Sequence, residues 1–587
     1  MPHTPHPAIL VPDIVEEIFV HLRPHTETEG NSGGNWAALA RSVRVCKAFR
    51  EPAMRSLWWA VPGVEPVLYF LVAASLLSVS QMPVTDSLPR IPYPAISGTP
   101  RTDGDRFYNM AQDTAAAVVR PGDWERLCRC AAHTRVIFKG SPCYHASSDI
   151  YVFLSYKNNG RPLFPNVRSL SWYSEAPDHL GLLPLLSPTV RTLKLSLGRH
   201  TAQPLPNLWQ VPHQPHPDML EEATVDHILQ TALPRLGGLL ELEVRASVNI
   251  PYAREGLSWE CVGGLQHLRK LDLDHSCLIA SPAFLQHLAA LPVLAELSLH
   301  LIRDGLTARA SLSGFSALEK LTLDVCGRSH EGVLEAFVSP GLHTLSIRLD
   351  RAPQTAMATI FNHIARAYPQ IRSITLKERS GQSSEDPSTL PSFDAVFTQL
   401  MHRAAIEQFV LHTYRELSIC TANDADFARL AQSWPQLRVF SFLSAPFGAR
   451  LTHHTVLAFA RHCPALRTLH LRAVDFDRLT KEEARALPGA STHALEEFGV
   501  CAVRAGHAQR CCRFLCKLFP AMRVPTTQAW VCPSCHDTQR YSGCTRALDA
   551  VFQLHNVPRE RSGRGRAVAR DNRRALGSAA HAAPQPS

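Results

Sequence analysis

Leu318-Glu319-Lys320-Leu321-Thr322-Leu323 and, 24 residues on, Leu342-His343-Thr344-Leu345-Ser346-Ile347 share one spacing: an apolar residue, then two more at three and five positions beyond it. Each ends in the alternation of a half-buried strand, whose successive side chains face opposite sides. The spacing recurs at Val167/Leu170/Trp172, Val190/Leu193/Leu195, Leu239/Leu242/Val244, Leu268/Leu271/Leu273, Leu294/Leu297/Leu299, Ile371/Ile374/Leu376, Ile406/Phe409/Leu411, Leu437/Phe440/Phe442, Leu466/Leu469/Leu471 and Leu495/Phe498/Val500. Steps between the middle residues are 23, 49, 29, 26, 24, 24, 29, 35, 31, 29 and 29. One short strand cannot bury its apolar side alone, so self-similarity at this period means stacked units sharing a continuous core. The 49-residue step holds one further unit or an insertion.

This is the spacing of leucine-rich repeats, and it predicts an α/β solenoid: a curved parallel sheet with helices on the convex side, preceded by a small helical module. Ser281 to Leu288 and Thr452 to Pro464 have helical periodicity and supply convex helices. A 29-residue step has room for a full helix, whereas 24 residues permit a short turn. Residues 198 to 220, rich in His and Pro, and residues 378 to 391 read as loops.

Composition bounds the function. Of 587 residues 45% are hydrophobic, enough for a folded chain, and a solenoid of this length escapes the size limit of a single core. No run reaches the roughly 20 apolar residues of a membrane helix. The longest, Val67 to Val79 between Pro66 and Pro83, reads as a buried helix. Without a secretory leader or an Asn-x-Ser/Thr acceptor, the chain is expected in the cytoplasm, the nucleus or both. Sixteen cysteines are too dilute for a disulfide framework, and reduced thiols are expected. The net charge of +9 is concentrated in residues 556 to 587, where seven arginines against Glu560 and Asp571 give +5. The body is close to neutral, which argues against nucleic acid as its main partner, although the tail could serve as a nuclear address or an RNA contact.

A second signal lies at the amino terminus. Val11-Pro12-Asp13-Ile14-Val15-Glu16-Glu17-Ile18-Phe19-Val20-His21-Leu22 puts Ile14, Ile18, Phe19 and Leu22 on one side of a helix that Pro12 can start. Leu39, Val43, Cys46 and Phe49 make a second stripe, followed by Leu57-Trp58. Two short helices cannot enclose this much apolar surface, so either the repeats or a partner must cover it. Pro-x-x-x-x-x-Ile-Phe-x-x-Leu, then Val-Cys-Lys-x-Phe and Leu-Trp, resembles an F-box. With Pro121-Gly122-Asp123-Trp124-Glu125-Arg126 it is similar to F-box proteins of mushroom-forming fungi, over about residues 11 to 140. The resemblance implies docking on the Skp adaptor of a cullin-based ubiquitin ligase, through Pro12, Ile14, Ile18, Phe19, Leu22, Val45, Cys46, Phe49, Leu57 and Trp58. It implies an unidentified protein substrate held by the repeats.

Polar residues between the apolar strand positions are the candidate substrate surface. Read in chain order they drift from acidic (Glu243, Asp272, Asp274, Glu296, Asp324) to basic (Arg348, Lys377, His470, Arg472), which predicts an acidic strip followed by a basic one. Opposed potentials of this kind orient a partner.

Catalytic and metal motifs are weak. Gly30-Asn31-Ser32-Gly33-Gly34 fits the nucleophile-elbow pattern but follows a helix instead of a buried strand, and neither a phosphate loop nor His-Glu-x-x-His occurs. Cys532-Pro533-Ser534-Cys535-His536 has haem-attachment spacing and the near half of a zinc site. Zinc would need two further ligands, with His536, Cys544, Cys511, Cys512 and Cys516 near in sequence. The segment reads better as a cap on the solenoid's open end. The expectation is a noncatalytic chain with neither cofactor nor metal, divided as follows: a disordered start at 1–10, an F-box-like module at 11–59, a helical linker and cap at 60–140, repeats at 141–505, a Cys-rich cap at 506–555 and a basic disordered tail at 556–587. A repeat scaffold without any ligase, or a zinc- or RNA-associated factor, are the alternatives.

Overall fold

Every apolar residue of the twelve motifs is at most 2% exposed in the computed structural model, apart from Trp172, which is half-buried with its ring edge-on to Tyr151. The structure describes residues 11–23, 33–73, 77–81, 106–110, 120–138, 144–146, 148–174, 180–197, 222–246, 260–273, 282–302, 314–326, 333–350, 354–378, 390–413, 419–444, 447–448, 451–487, 493–504 and 507–522. They fall into two compact units, 1–421 and 422–587.

The first unit opens with three helices, α1 (Pro12–His21), α2 (Gly33–Ser42) and α3 (Lys47–Leu57). The second apolar stripe, expected on one helix, is divided between α2 and α3 by a turn at residues 43–46. Parallel strands then follow in chain order: β1 (Ala60–Pro62), β2 (Val136–Phe138), β3 (Ser169–Ser174), β4 (Thr192–Leu197), β5 (Glu241–Ala246), β6 (Lys270–Leu273), β7 (Glu296–Ile302), β8 (Lys320–Cys326), β9 (Thr344–Asp350), β10 (Ser373–Glu378) and β11 (Gln408–His412). The second unit carries β12 (Val439–Phe442), β13 (Thr468–Asp475) and β14 (Glu497–Arg504), also parallel. A run of parallel strands in chain order, each returning through a convex crossover, is the leucine-rich-repeat solenoid that the spacing predicts.

Register explains the motif. Leu271, Leu297, Leu321, Leu345, Ile374 and Phe409 pair in one row, and Leu299, Leu323, Ile347, Leu376 and Leu411 in the next, so each apolar position stacks on its own counterpart. Strand β4 pairs directly with β5, Leu193 opposite Leu242, so the 49-residue step is an insertion. Its residues 198–221 lie outside the described residues. The sheet also begins before the first motif, because β1 and β2 pair with each other and β2 with β3.

Crossovers follow the available length. Long steps hold α4 (Gln354–Ala367), α5 (Phe393–Met401), α6 (Asp424–Ser433) and α7 (His453–His462), whereas the 24-residue step from Leu321 to Leu345 holds only a single turn of tight helix, Leu334–Ala336. The second unit ends in α8 (Lys481–Ala486) and α9 (Ala508–Leu518). One expectation is corrected. The apolar run from Val67 is helical only to Ala73, and Leu77–Gln81 is a strand antiparallel to Arg106–Met110, as the alternation Leu77-Ser78-Val79-Ser80 allows. Among the described residues no helix is long and apolar enough to cross a membrane.

Candidate functional site

The amino-terminal helices divide their apolar residues between two faces. Val15 and Phe19 point inward from α1 to meet Leu39 of α2 and Ala53 of α3, and Leu22, Val43, Phe49 and Leu57 pack around them. Phe19 and Phe49 meet edge to face, and Arg55 donates to Glu16 at 3.3 Å, tying α3 to α1. On the other side of α1, Val11, Ile14 and Ile18 stay exposed, Ile18 at 51%, and Val45 in the turn before α3 is 67% exposed. A helix presents positions i, i+3 and i+7 on one side, so Val11, Ile14 and Ile18 form an apolar stripe open to solvent.

The ten residues expected at the adaptor interface therefore separate. Phe19, Leu22, Phe49 and Leu57 build the module, with Trp58 half-buried at its end, while Pro12, Ile14, Ile18, Val45 and Cys46 remain exposed. Amphipathic spacing signals both groups alike, since α1 is apolar on two sides.

On the sheet, register breaks up the charge order read along the chain. Glu243 and Asp272 are neighbours in one row, opposite Lys194 and Ser298. Glu296 belongs to another, between Lys270 and Lys320. Asp324 belongs to a third, between His300 and Arg348, with Lys377 and His412 beyond. Two of the acids lie beside bases: Glu243 is 2.7 Å from Arg245 and 3.6 Å from Lys194, and Glu296 is 3.5 Å from Lys320 and 4.0 Å from Lys270. The acids of the strip are thus spread over three separate rows that also carry bases. Chain order cannot show this, because which residues face each other depends on register.

Asp324 departs furthest from expectation. It is fully buried, its Oδ2 3.5 Å from His300 Nδ1 and 3.4 Å from Arg348 Nη1, and so it holds three strands together instead of facing a partner. Lys377 is exposed. In the second unit His470 and Arg472 share β13, and His470 Nε2 lies 3.2 Å from Glu497. Asp274 lies outside the described residues, as do Cys532, Cys535, His536 and Cys544.

Cys511 and Cys516, near the end of the described chain, share α9 with Cys512. Burial pushes the Cys511 thiol up to about 12, and burial with the adjacent Cys512, 3.9 Å away, does the same to Cys516. Cys463, donating to the Ala431 and Trp434 carbonyls, is also raised by burial to about 12. A raised pKa keeps a thiol protonated at neutral pH, and the thiolate is the nucleophilic form.

No family model and no curated protein sequence matches the chain. Among solved structures it is similar to a leucine-rich-repeat protein of Leptospira interrogans, at 12% identity and a TM-score of 0.32 over 66% of this chain and 84% of that one. It is also similar to TLR13 in a complex with single-stranded RNA, at 15% identity and a TM-score of 0.33 over 64% of this chain and 45% of that one.

Proposed function

We propose that the chain is a noncatalytic substrate receptor: its amino-terminal helices dock on the Skp adaptor of a cullin-based ubiquitin ligase, and its repeat strands hold the protein to be modified. The observation that carries this reading is the outer stripe of α1. Val11, Ile14 and Ile18, with Val45, remain in solvent although the module has its own core. Leaving such side chains exposed forgoes roughly 1.5–3 kcal/mol each, a cost that a partner surface would recover. The resemblance to an F-box names that partner. The receptor's contribution would be proximity, holding an acceptor lysine near the activated thioester. The mixed-sign strand surface and near-neutral body favour a protein substrate over nucleic acid, and the reading puts the chain in the cytoplasm or nucleus.

The test is a pull-down of the full-length chain with the Skp adaptor beside an Ile14→Asp/Ile18→Asp variant. Binding by the parent and none by the variant supports the receptor. Binding by neither leaves a repeat scaffold that holds proteins without a ligase.

A further inference from the structure

His453 and His454 open α7, and Glu483 occupies the third position of α8, one repeat further along the second unit. Their ligating atoms all lie within 4.8 Å of one another. His453 Nε2 is 3.4 Å from Glu483 Oε2, His454 Nε2 is 3.8 Å from Oε1, and the two imidazole centroids are 4.1 Å apart. Donors bound to one ion at about 2.0–2.2 Å in tetrahedral geometry stand roughly 3.3–3.6 Å from one another. These side chains are close to that spacing already.

His453 makes the cluster hard to explain as a plain ion pair. Its side chain is 1% exposed; Nδ1 has no hydrogen-bond partner, and Nε2 has only the long 3.4 Å contact with Glu483 Oε2, which falls short of hydrogen-bond geometry. Glu483 Oε2, its nearest acceptor, takes the N–H and hydroxyl of Thr480, both at 2.8 Å. A buried imidazole with one nitrogen unpaired and the other poorly paired costs free energy that an ion accepting its lone pair would offset. The ring is also held in place. Phe514 of α9 packs perpendicular to it at 5.8 Å, and Asp424 of α6 anchors the first turn of α7 by accepting the Thr452 N–H at 2.8 Å and the Thr452 hydroxyl at 2.7 Å.

We propose that His453, His454 and Glu483 bind a divalent transition-metal ion of the zinc class. Two imidazoles and one carboxylate suit Zn²⁺, whereas Mg²⁺ and Ca²⁺ prefer all-oxygen shells. Three protein donors leave a fourth position for water or a group from a bound partner. The site stands independently of docking on the Skp adaptor.

The test uses the full-length chain, stripped with a chelator and titrated with Zn²⁺ against a competing indicator, beside His454→Ala and Glu483→Gln. His454 is exposed, and glutamine can still accept the Thr480 bonds, so both variants are expected to fold; His453 is left intact because it packs on Phe514. Each variant should bind one equivalent fewer than the parent, or bind it at least about tenfold more weakly, as losing even an indirect support costs a metal site. Zn²⁺ should also slow acylation of His454 in the parent and not in Glu483→Gln. Equal stoichiometry and affinity in all three proteins, with His454 acylated at the same rate with and without Zn²⁺, would overturn the assignment.

Discussion

The Phe19 ring meets that of Phe49 edge-on, with centroids 5.4 Å apart at 80°, while Ile18, its neighbour in the chain, is half exposed. Adjacent residues of one apolar run thus have opposite environments. Phe19→Ala should leave a cavity and cost about 3–5 kcal/mol, read as a lower unfolding midpoint of the amino-terminal module. Ile18→Asp should change stability by no more than about 0.5 kcal/mol and, on the proposed receptor reading, abolish adaptor capture. Changing both at once would confound folding with docking.

Asp324 joins β7 and β9 through His300 and Arg348. Arg348 keeps about a quarter of its side chain in solvent, so losing the buried carboxylate costs less than breaking a fully buried pair, about 1–3 kcal/mol. Asp324→Ala should therefore unfold the first unit at markedly lower denaturant. A substrate-binding assay alone would misreport that loss as a defect in recognition, so equilibrium denaturation is the measurement.

Glu296 presents the contrasting case. It bridges Lys270 and Lys320 with all three side chains more than 40% exposed. Exposed pairs contribute roughly 0–1 kcal/mol and weaken with salt. Glu296→Ala should leave the unfolding midpoint nearly unchanged while altering the charge of its row, which makes it a clean probe of whether that row touches a partner. Unaltered capture would exclude it from the interface.

The repeat core was legible because each motif states its own burial: Leu318, Leu321 and Leu323 are all buried, and so are their counterparts in other repeats. Convex helix starts are legible for the same reason. Asn423, Thr452 and Thr480 each cap a helix by accepting a backbone N–H, and they stand 29 and 28 residues apart, one repeat each. What the sequence hides is relation across repeats. Nothing local says that Asp324 faces two bases, or that His454 and Glu483, 29 residues apart, come together. The available signal was the repeat period itself, which puts both at the start of successive convex helices.

His493 gives the second unit a pH dependence with a definite sign. Its Nδ1 accepts the Leu495 N–H at 3.2 Å, which leaves Nε2–H to donate to the Cys463 carbonyl at 2.9 Å. That arrangement needs the neutral ring, and burial lowers its pKa from the usual 6.5. As pH falls below about 6.5 the unfolded chain takes up the proton first, so stability, complete above that value, declines until the folded ring also protonates. Denaturation between pH 7.5 and about 5 should show this slope, reduced in His493→Gln; proton resonances of His493 titrating at or above 6.5 would contradict it.

Asp424 accepts from the Thr452 N–H, the Thr452 hydroxyl and the Thr455 hydroxyl, and both threonines are buried. An alanine there leaves the buried Thr455 hydroxyl without its acceptor, worth about 1–3 kcal/mol. It also takes from Thr452 the acceptor of its N–H and O–H, though the Thr452 oxygen still accepts the His454 N–H. Asp424→Ala should therefore destabilise the second unit by about 2 kcal/mol, whereas Asp424→Asn, which keeps an acceptor oxygen, should cost about half as much. Because Asp424 fixes the turn that carries His453 and His454, the two substitutions also separate packing from position. If the asparagine variant is nearly as stable as the parent but binds Zn²⁺ more weakly, Asp424 orients the imidazoles; if its affinity is unchanged, the residue serves only to anchor the helix.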